Sequence, residues 1–283
     1  MIVVARTTRD VLVVHGPEAV TWLQGQLSQD VAGLAVGEAA PSFVLAPQGK
    51  VAGWGRLVRT AEDAVQIDVD PGAGEAWAAR LERFKLRTKA EVHLRTDVSA
   101  VSVRGAQLPG WLPAPVPSGA VPGCDRVDAG DGALAEALAA GAVEVPAEHL
   151  EAERIRAGVP RWGAELDDDT IPATVGQWVI DASVSFTKGC YTGQELVARI
   201  DSRGGNVPRH LAVVAIDGPP PAPGAEVTVG DAAAGQVTSS APDPSGSGSV
   251  ALAYVPRAVE LPAVGRVEET DARVALAPLS PPA

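Results

Sequence analysis

From residue 209 to the end, the chain shows no helical periodicity. Residues 211–216, 226–229, 234–239 and 250–254 are short apolar runs, and Gly, Pro and Ser fill the intervals between them. Strands this short and this regularly interrupted satisfy their edges best by closing on one another, so a small β-barrel is expected over 208–283. The Pro-rich tail from Leu276 onward is expected to fray. Everything before residue 208 reads differently, because helical and strand periods alternate there.

Residues 11–14 read as a short buried strand ending at Gly16-Pro17. Val20, Leu23, Leu27 and Val31 then recur at spacings of three and four, one face of a helix that Gly33 would stop. Residues 42–45 and 51–58 read as strands joined by a Pro47-Gln48-Gly49-Lys50 turn, and residues 64–69 alternate as a third strand. Trp77, Leu81 and Phe84 have helical spacing. Residues 90–95 and 98–103 read as two further strands, 108–123 as a surface loop, and 132–140 and 146–157 as helices. A meander with helices laid beside it predicts an α+β body over 1–207. Arg83, Lys85, Arg87 and Lys89 alternate through one junction. If that junction is extended, they form either a solvated charged face or a seat for an anionic ligand.

At 283 residues the chain can bury a substantial core, and no apolar run approaches the roughly 20 residues a membrane helix needs. The N-terminus lacks a signal peptide's pattern, which places the protein in the cytoplasm. A formal net charge of -12 argues against nucleic acid as a direct ligand. Two cysteines and four scattered histidines (His15, His93, His149, His210) offer no zinc-type spacing, so no intrinsic metal is expected. Nothing beside Cys124 would activate it, and a structural role is expected.

The densest polar cluster is Lys188-Gly189-Cys190-Tyr191-Thr192-Gly193-Gln194-Glu195. Gly189 and Gly193 permit positive φ or a close backbone approach, and Lys188 could favour a thiolate at Cys190. The competing reading is a tight turn around a small buried cysteine. Leu196-Val197-Ala198 reads as a strand anchoring the turn. Arg199 follows closely. Upstream, Trp162 stands in a turn, either as a lid on the core or as a stacking platform.

These residues carry a resemblance to the YgfZ family, the folate-binding relatives of the glycine-cleavage T protein. The motif from Lys188 to Glu195 follows that family's signature without a gap. Supporting matches are Leu23-Gln24-Gly25-Gln26-Leu27, Pro47-Gln48-Gly49-Lys50, Arg154-Ile155-Arg156-Ala157-Gly158-Val159-Pro160 and Arg203-Gly204-Gly205-Asn206. The resemblance implies a T-protein-like fold with a C-terminal barrel, two subdomains in the body with a break near 95–100, and tetrahydrofolate in the central cleft. It also implies a role with iron–sulfur proteins and tRNA modification. On that footing Arg154, Glu151, Trp162, Gln26 and Arg199 are the expected folate-binding residues, and Cys190 is the candidate for chemistry.

Two positions depart from the T protein. Gly53-Trp54 stands where that protein carries an acidic pair, and Arg156 stands where it carries a pterin-binding Glu, so aminomethyl transfer in its manner is disfavoured. Two other functions compete. A folate-dependent one-carbon transferase or demethylase would need Asp68 or Asp70 as a base, although both read as strand-end residues in solvent. A Cys–His enzyme would pair Cys190 with His210.

Overall fold

The structure, a computed structural model, describes residues 1–117, 120–246, 248–267 and 272–279. Its body runs β1 (Val3–His15), α1 (Ala19–Gln26), β2 (Ala39–Leu45), β3 (Val51–Ala61), β4 (Ala64–Val69), α2 (Gly74–Arg83), β5 (Glu91–Arg104), β6 (Leu112–Pro113), β7 (Gly123–Val127), α3 (Asp131–Ala139), β8 (Val143–Glu144), α4 (Ala147–Arg156), α5 (Gln177–Ser183) and α6 (Gln194–Asp201). The barrel follows as β9 (Arg209–Ile216), β10 (Glu226–Val229), β11 (Ala232–Pro242), β12 (Ser249–Pro256), β13 (Ala263–Val267) and β14 (Ala272–Pro278).

The body's sheet has the order β2-β3-β4-β1-β5-β7-β6, with β8 added parallel to β1. The other pairings are antiparallel, and with the helices segregated around the sheet the class is α+β. On one side of the sheet, Leu23 of α1 and Trp77 and Leu81 of α2 are fully buried against Leu12, Leu57 and Ile67. The spacing of four between Trp77 and Leu81 puts both on one helix face. A Cβ at Gly53 would lie 2.0 Å from Trp77 Nε1, so only glycine lets α2 settle onto β3. A second cluster joins Val4, Val101 and Cys124 to Leu134 of α3.

The strands of the C-terminal unit close in the order β10-β11-β12-β9-β14-β13. The expected barrel is therefore present, with six strands. The sequence reading missed β13 and placed the end of β14, from Leu276, in a frayed tail. Leu276 is instead buried inside the barrel, and Leu279 packs against Gly158 and Gly176 of the body. Alternating small apolar residues in β14 (Ala272, Val274, Leu276) give the strand an inward face, and that overrides the Pro-rich flank. Body and barrel share one apolar core, in which Ile155, Trp178 and Val197 meet Leu211, Leu252 and Tyr254. The carboxylate of buried Glu165 accepts hydrogen bonds from Arg154, Thr238 and Ser239, tying α4 to β11.

Other expectations change as well. The segments read as two strands over 90–103 form one strand, β5, and residues 95–100 lie inside it. A register shift opposite Arg9/Val11 and a positive φ at Asp97 mark a bulge there, where the strand passes from one core cluster to the next. Helix α1 stops at Gln26, and Leu27 forms an isolated bridge to Val44. The cations from Arg83 to Lys89 do not form a ladder, because Arg83 ends α2 and the rest follow irregular turns. Leu196-Val197-Ala198 is helical, within α6, since Gly193 and Gln194 start a helix there. No helix among the described residues is long and apolar enough to cross a membrane.

Candidate functional site

One face of the sheet is polar where a two-faced core would require apolar residues. Arg56 of β3 is 3% exposed, and its guanidinium forks onto Asp68 at 2.9 and 3.0 Å. It also donates to Asp125 and to Pro113 O, each at 2.8 Å. Arg9 of β1 donates to Asp68 at 3.2 Å and to Asp70 at 2.6 Å, and Arg104 of β5 donates to Asp125 at 3.0 Å. Five strands thus contribute to one buried ionic cluster. Burial alone would raise the Asp125 carboxyl, but the charges of Arg104 and Arg56 outweigh it and hold the group well below the usual carboxylate range. Burial likewise opposes charge on Arg56, and the two aspartates more than reverse that effect. Asp68 and Asp70, read as solvent-facing strand ends, are instead a fully buried partner of Arg56 and a cavity residue.

This cluster floors a cavity of about 520 Å³ whose other walls are α4, residues 114–116 and 120–121, and Val159–Arg161. Six arginines (9, 56, 104, 154, 156 and 161) line it against Asp70, Asp125, Glu151 and Glu153, while Trp54 supplies an aromatic wall. On the lining arginines outnumber acids, and Asp68, Glu165 and Asp243 pair with them from behind it. Arg154 and Glu151, both expected at the site, are here. Arg154 grips Glu151 at 2.8 and 2.9 Å, and Arg161 adds a further contact at 3.1 Å. Burial pushes the Glu151 carboxyl up, but these bonds and charges bring it below its ordinary value. Arg156, at the T protein's Glu position, ion-pairs with Glu153 and with Asp243 of the barrel.

The other expected ligand residues lie elsewhere. Trp162 packs against both large core clusters, and its backbone N–H donates to Asp70 at 3.1 Å. Gln26 accepts a bond from Arg80 at the end of α1. Arg199 is exposed on α6.

Cys190 is exposed and is not among the residues lining the cavity, so the reading of a buried cysteine fails. The Lys188 ammonium donates to the carbonyls of Gln24, Leu27 and Gln29 at 2.5, 2.7 and 2.9 Å. It clamps the end of α1, so its charge is committed to carbonyl oxygens and not to the thiol. Burial lowers its pKa to about 8, with Asp30 opposing. Tyr191 is buried in the core shared by body and barrel, which pushes its phenol up to about 12. Gln194 Oε1 accepts the Tyr191 N–H, and Glu195 is exposed in the first turn of α6. Gly193 has φ +83, and a Cβ there would lie 2.5 Å from Ala46 O, so the expected close approach is real. Gly189 has neither a positive φ nor a neighbour that a Cβ would meet. His210, on β9, has its pKa lowered by burial, and no hydrogen bond joins it to Cys190 among the described residues. Cys124 is buried and accepts the Leu108 N–H, in keeping with a structural role, and burial pushes its thiol up.

The sequence reading missed Arg9, Arg56, Arg104 and Asp125. A charged residue in the middle of the apolar run 51–58 was the available signal, because a strand of the core tolerates an arginine only where acids await it.

Comparison with known proteins bears on the whole chain. No family model matches. A tRNA-modifying protein YgfZ from Edwardsiella ictaluri is 28% identical over 217 residues, covering 68% of this chain and 65% of that protein, so the chain matches just under two thirds of that relative's length. A mitochondrial iron–sulfur cluster assembly factor IBA57 homolog from Eremothecium gossypii is 41% identical over 64 residues, 22% of this chain and 14% of that protein. The glycine cleavage system aminomethyltransferase T from Bartonella henselae superposes with a TM-score of 0.76 at 20% identity, covering 99% of this chain and 86% of that one. The last likeness establishes the fold. Together with the YgfZ relatives it bears out the resemblance read from the motif.

Proposed function

For a chain that resembles the YgfZ family on the fold of the glycine-cleavage T protein, we propose a tetrahydrofolate-binding protein of the YgfZ type. It supports the assembly or repair of iron–sulfur proteins and, through such enzymes, tRNA modification. The observation that carries this reading is the cationic cavity. Its volume, about 520 Å³, suits a drug-sized ligand, for which pockets run roughly 300–1,000 Å³. Arg104 and Arg161 each pair with an acid already shared with a second arginine, which favours a ligand with carboxylates at one end. Folate fits in size and charge. Arg104, Arg156 and Arg161 would hold the glutamate carboxylates, the Trp54 ring would flank the flat portion, and Glu151 would accept from the pterin's N–H edge in place of the absent Glu at position 156. Bound reduced folate supplies a carrier for one-carbon units. The protein's share is to orient it and to exclude water.

In this reading Cys190 is the thiol presented to a protein client. Its exposure supports that role, as does its position beyond the cavity lining. Titration with tetrahydrofolate, read by quenching of tryptophan emission, tests the ligand, and no saturable quenching up to about 1 mM would sink it. Cys190→Ala in a deletion host, scored by iron–sulfur enzyme activity, tests the thiol, and full rescue would remove it from the function.

One observation favours the alternative of a one-carbon transferase or demethylase, namely that Asp70 is a carboxylate facing the cavity. Arg9 and the Trp162 N–H each already donate to one of its two oxygens. Turnover of an N-methyl or aminomethyl donor would establish that activity.

A further inference from the structure

Away from the cavity and the thiol loop, three side chains with metal-ligand chemistry share one face of the sheet. His15 and Glu91 are directly opposed in the β1–β5 ladder, and His93 lies two residues beyond Glu91, opposite Val13. Side chains alternate along strands, so all three project from the same face. Glu91 Oε2 lies 3.2 Å from His93 Nε2 and 3.8 Å from His15 Nε2. The two imidazoles stack with centroids 5.2 Å apart and planes 13° from parallel. One ligand atom from each residue lies within 4.8 Å of the other two.

We propose that His15, Glu91 and His93 form a binding site for a divalent transition metal, with at least one coordination position left open. Metal–nitrogen and metal–oxygen bonds of about 2.0–2.2 Å in tetrahedral geometry set neighbouring ligand atoms roughly 3.3–3.6 Å apart. The Glu91–His93 and Glu91–His15 pairs, at 3.2 and 3.8 Å, already lie close to that spacing. Only the widest separation, within 4.8 Å, must close by about 1 Å, and side chains that are 45%, 70% and 58% exposed can do this by rotating.

The backbone beneath the cluster is fixed. Gly16 N–H donates to Asp63 O at 3.0 Å, Glu18 N–H to Lys89 O at 3.2 Å, and Lys89 N–H to the Glu18 carboxylate at 2.7 Å. The frame is thus in place before a metal arrives, which is the condition for a usable site. Two imidazoles and one carboxylate suit zinc, nickel or copper, whereas calcium and magnesium require more oxygen ligands. His15 and Glu91 also wall a surface concavity of about 430 Å³ with Gly16, Pro17, Thr88 and Lys89. A metal held there would be reachable from that space by water or by a ligand from another molecule. The histidines are far apart in sequence and strand pairing brings them together, which is why short-range spacing predicted no metal.

The test is a zinc chloride titration of the chelator-stripped full chain against a chromophoric competitor, repeated with His15→Ala/His93→Ala and with Cys190→Ser. We expect one equivalent bound with a dissociation constant on the order of micromolar, weakened about tenfold or more in the double variant and unchanged in Cys190→Ser. Thermal melts in chelator should match between wild type and the double variant, because the replaced side chains are half exposed. If the double variant does not fold, His93→Gln serves in its place and should show the same weakening. Wild-type affinity in the histidine variants, loss of binding in Cys190→Ser, or no uptake by the wild type at about 100 µM zinc would each overturn the proposal.

Discussion

Replacing Arg56 with Met tests whether the ionic floor of the cavity is a single buried unit. The substitution keeps most of the stem and removes four hydrogen bonds: two to Asp68, one to Asp125 and one to Pro113 O. Removing one partner of a buried ion pair typically costs about 3–5 kcal/mol. Here each acid retains one arginine, since Arg9 holds Asp68 at 3.2 Å and Arg104 holds Asp125 at 3.0 Å. The lower end of the range, about 3 kcal/mol, is therefore expected. With a urea dependence of about 3 kcal/mol per molar, the unfolding midpoint at pH 7 should fall by about 1 M. The pH dependence has a definite sign. Asp125 is held below its unfolded value, so its contribution is present above the ordinary carboxylate range and is lost as pH falls through the native pKa. The wild type should then lose more stability on acidification than the variant, and the gap should narrow at pH 3. If Arg56→Met does not fold, Arg56→Lys keeps the charge without the fork and should lose about 1–2 kcal/mol. A cost under about 1 kcal/mol for the Met variant would refute the reasoning, because it would mean that water already screens the cluster.

Three other outcomes are expected. Gly193→Ala should destabilise by about 2 kcal/mol or more, through a strained φ of +83 and contact with Ala46 O, whereas Gly189→Ala should stay within about 0.5 kcal/mol; equal effects in chemical denaturation would contradict the geometry of the loop. In the native protein iodoacetamide should label Cys190 and leave Cys124 untouched until unfolding, and mass spectrometry showing Cys124 labelled first would contradict the burial assignment. Ser183→Ala removes the acceptor of the Trp54 indole bond, and it should change the rate at which Cys190 is alkylated when folate is bound; an unchanged rate would show that the cavity and the loop are uncoupled.

Local features of the fold were legible. The meander β2–β3–β4 and the turn after β2 were readable because strand alternation and Pro-Gly chemistry sit within a few residues. The helix pair α3 and α4 was likewise clear. Long-range pairing was not. The 13-residue β1 looked like four buried residues because its first half carries Arg6, Thr7 and Arg9, whose partners Asp131, Ser102, Asp68 and Asp70 all lie far along the chain. A three-residue apolar run such as Leu196-Val197-Ala198 has no period of its own, and the cap at Gly193-Gln194 decides for helix. At the site, the motif was found by its composition. The role of Lys188 was not, since its three acceptors lie some 160 residues earlier in the chain.

The cavity and the thiol loop occupy separate places, yet one chain of hydrogen bonds runs between them. Trp54 of the cavity wall donates its indole N–H to Ser183 Oγ at 2.9 Å. Ser28 Oγ donates to Ser183 O at 2.7 Å, and Ser28 O accepts the Ser185 N–H at 3.0 Å. On either side of Ser28, the carbonyls of Leu27 and Gln29 are held by Lys188, two residues from Cys190. The Trp54–Ser183 and Ser28–Ser183 bonds are buried, so breaking either without a replacement partner costs about 1–3 kcal/mol. A ligand that moves the Trp54 ring therefore acts on an array with few alternative arrangements, and by linkage a client that moves the loop acts equally on the ligand's affinity. On the proposed function, a thiol outside the cavity would by this route report on what the cavity holds.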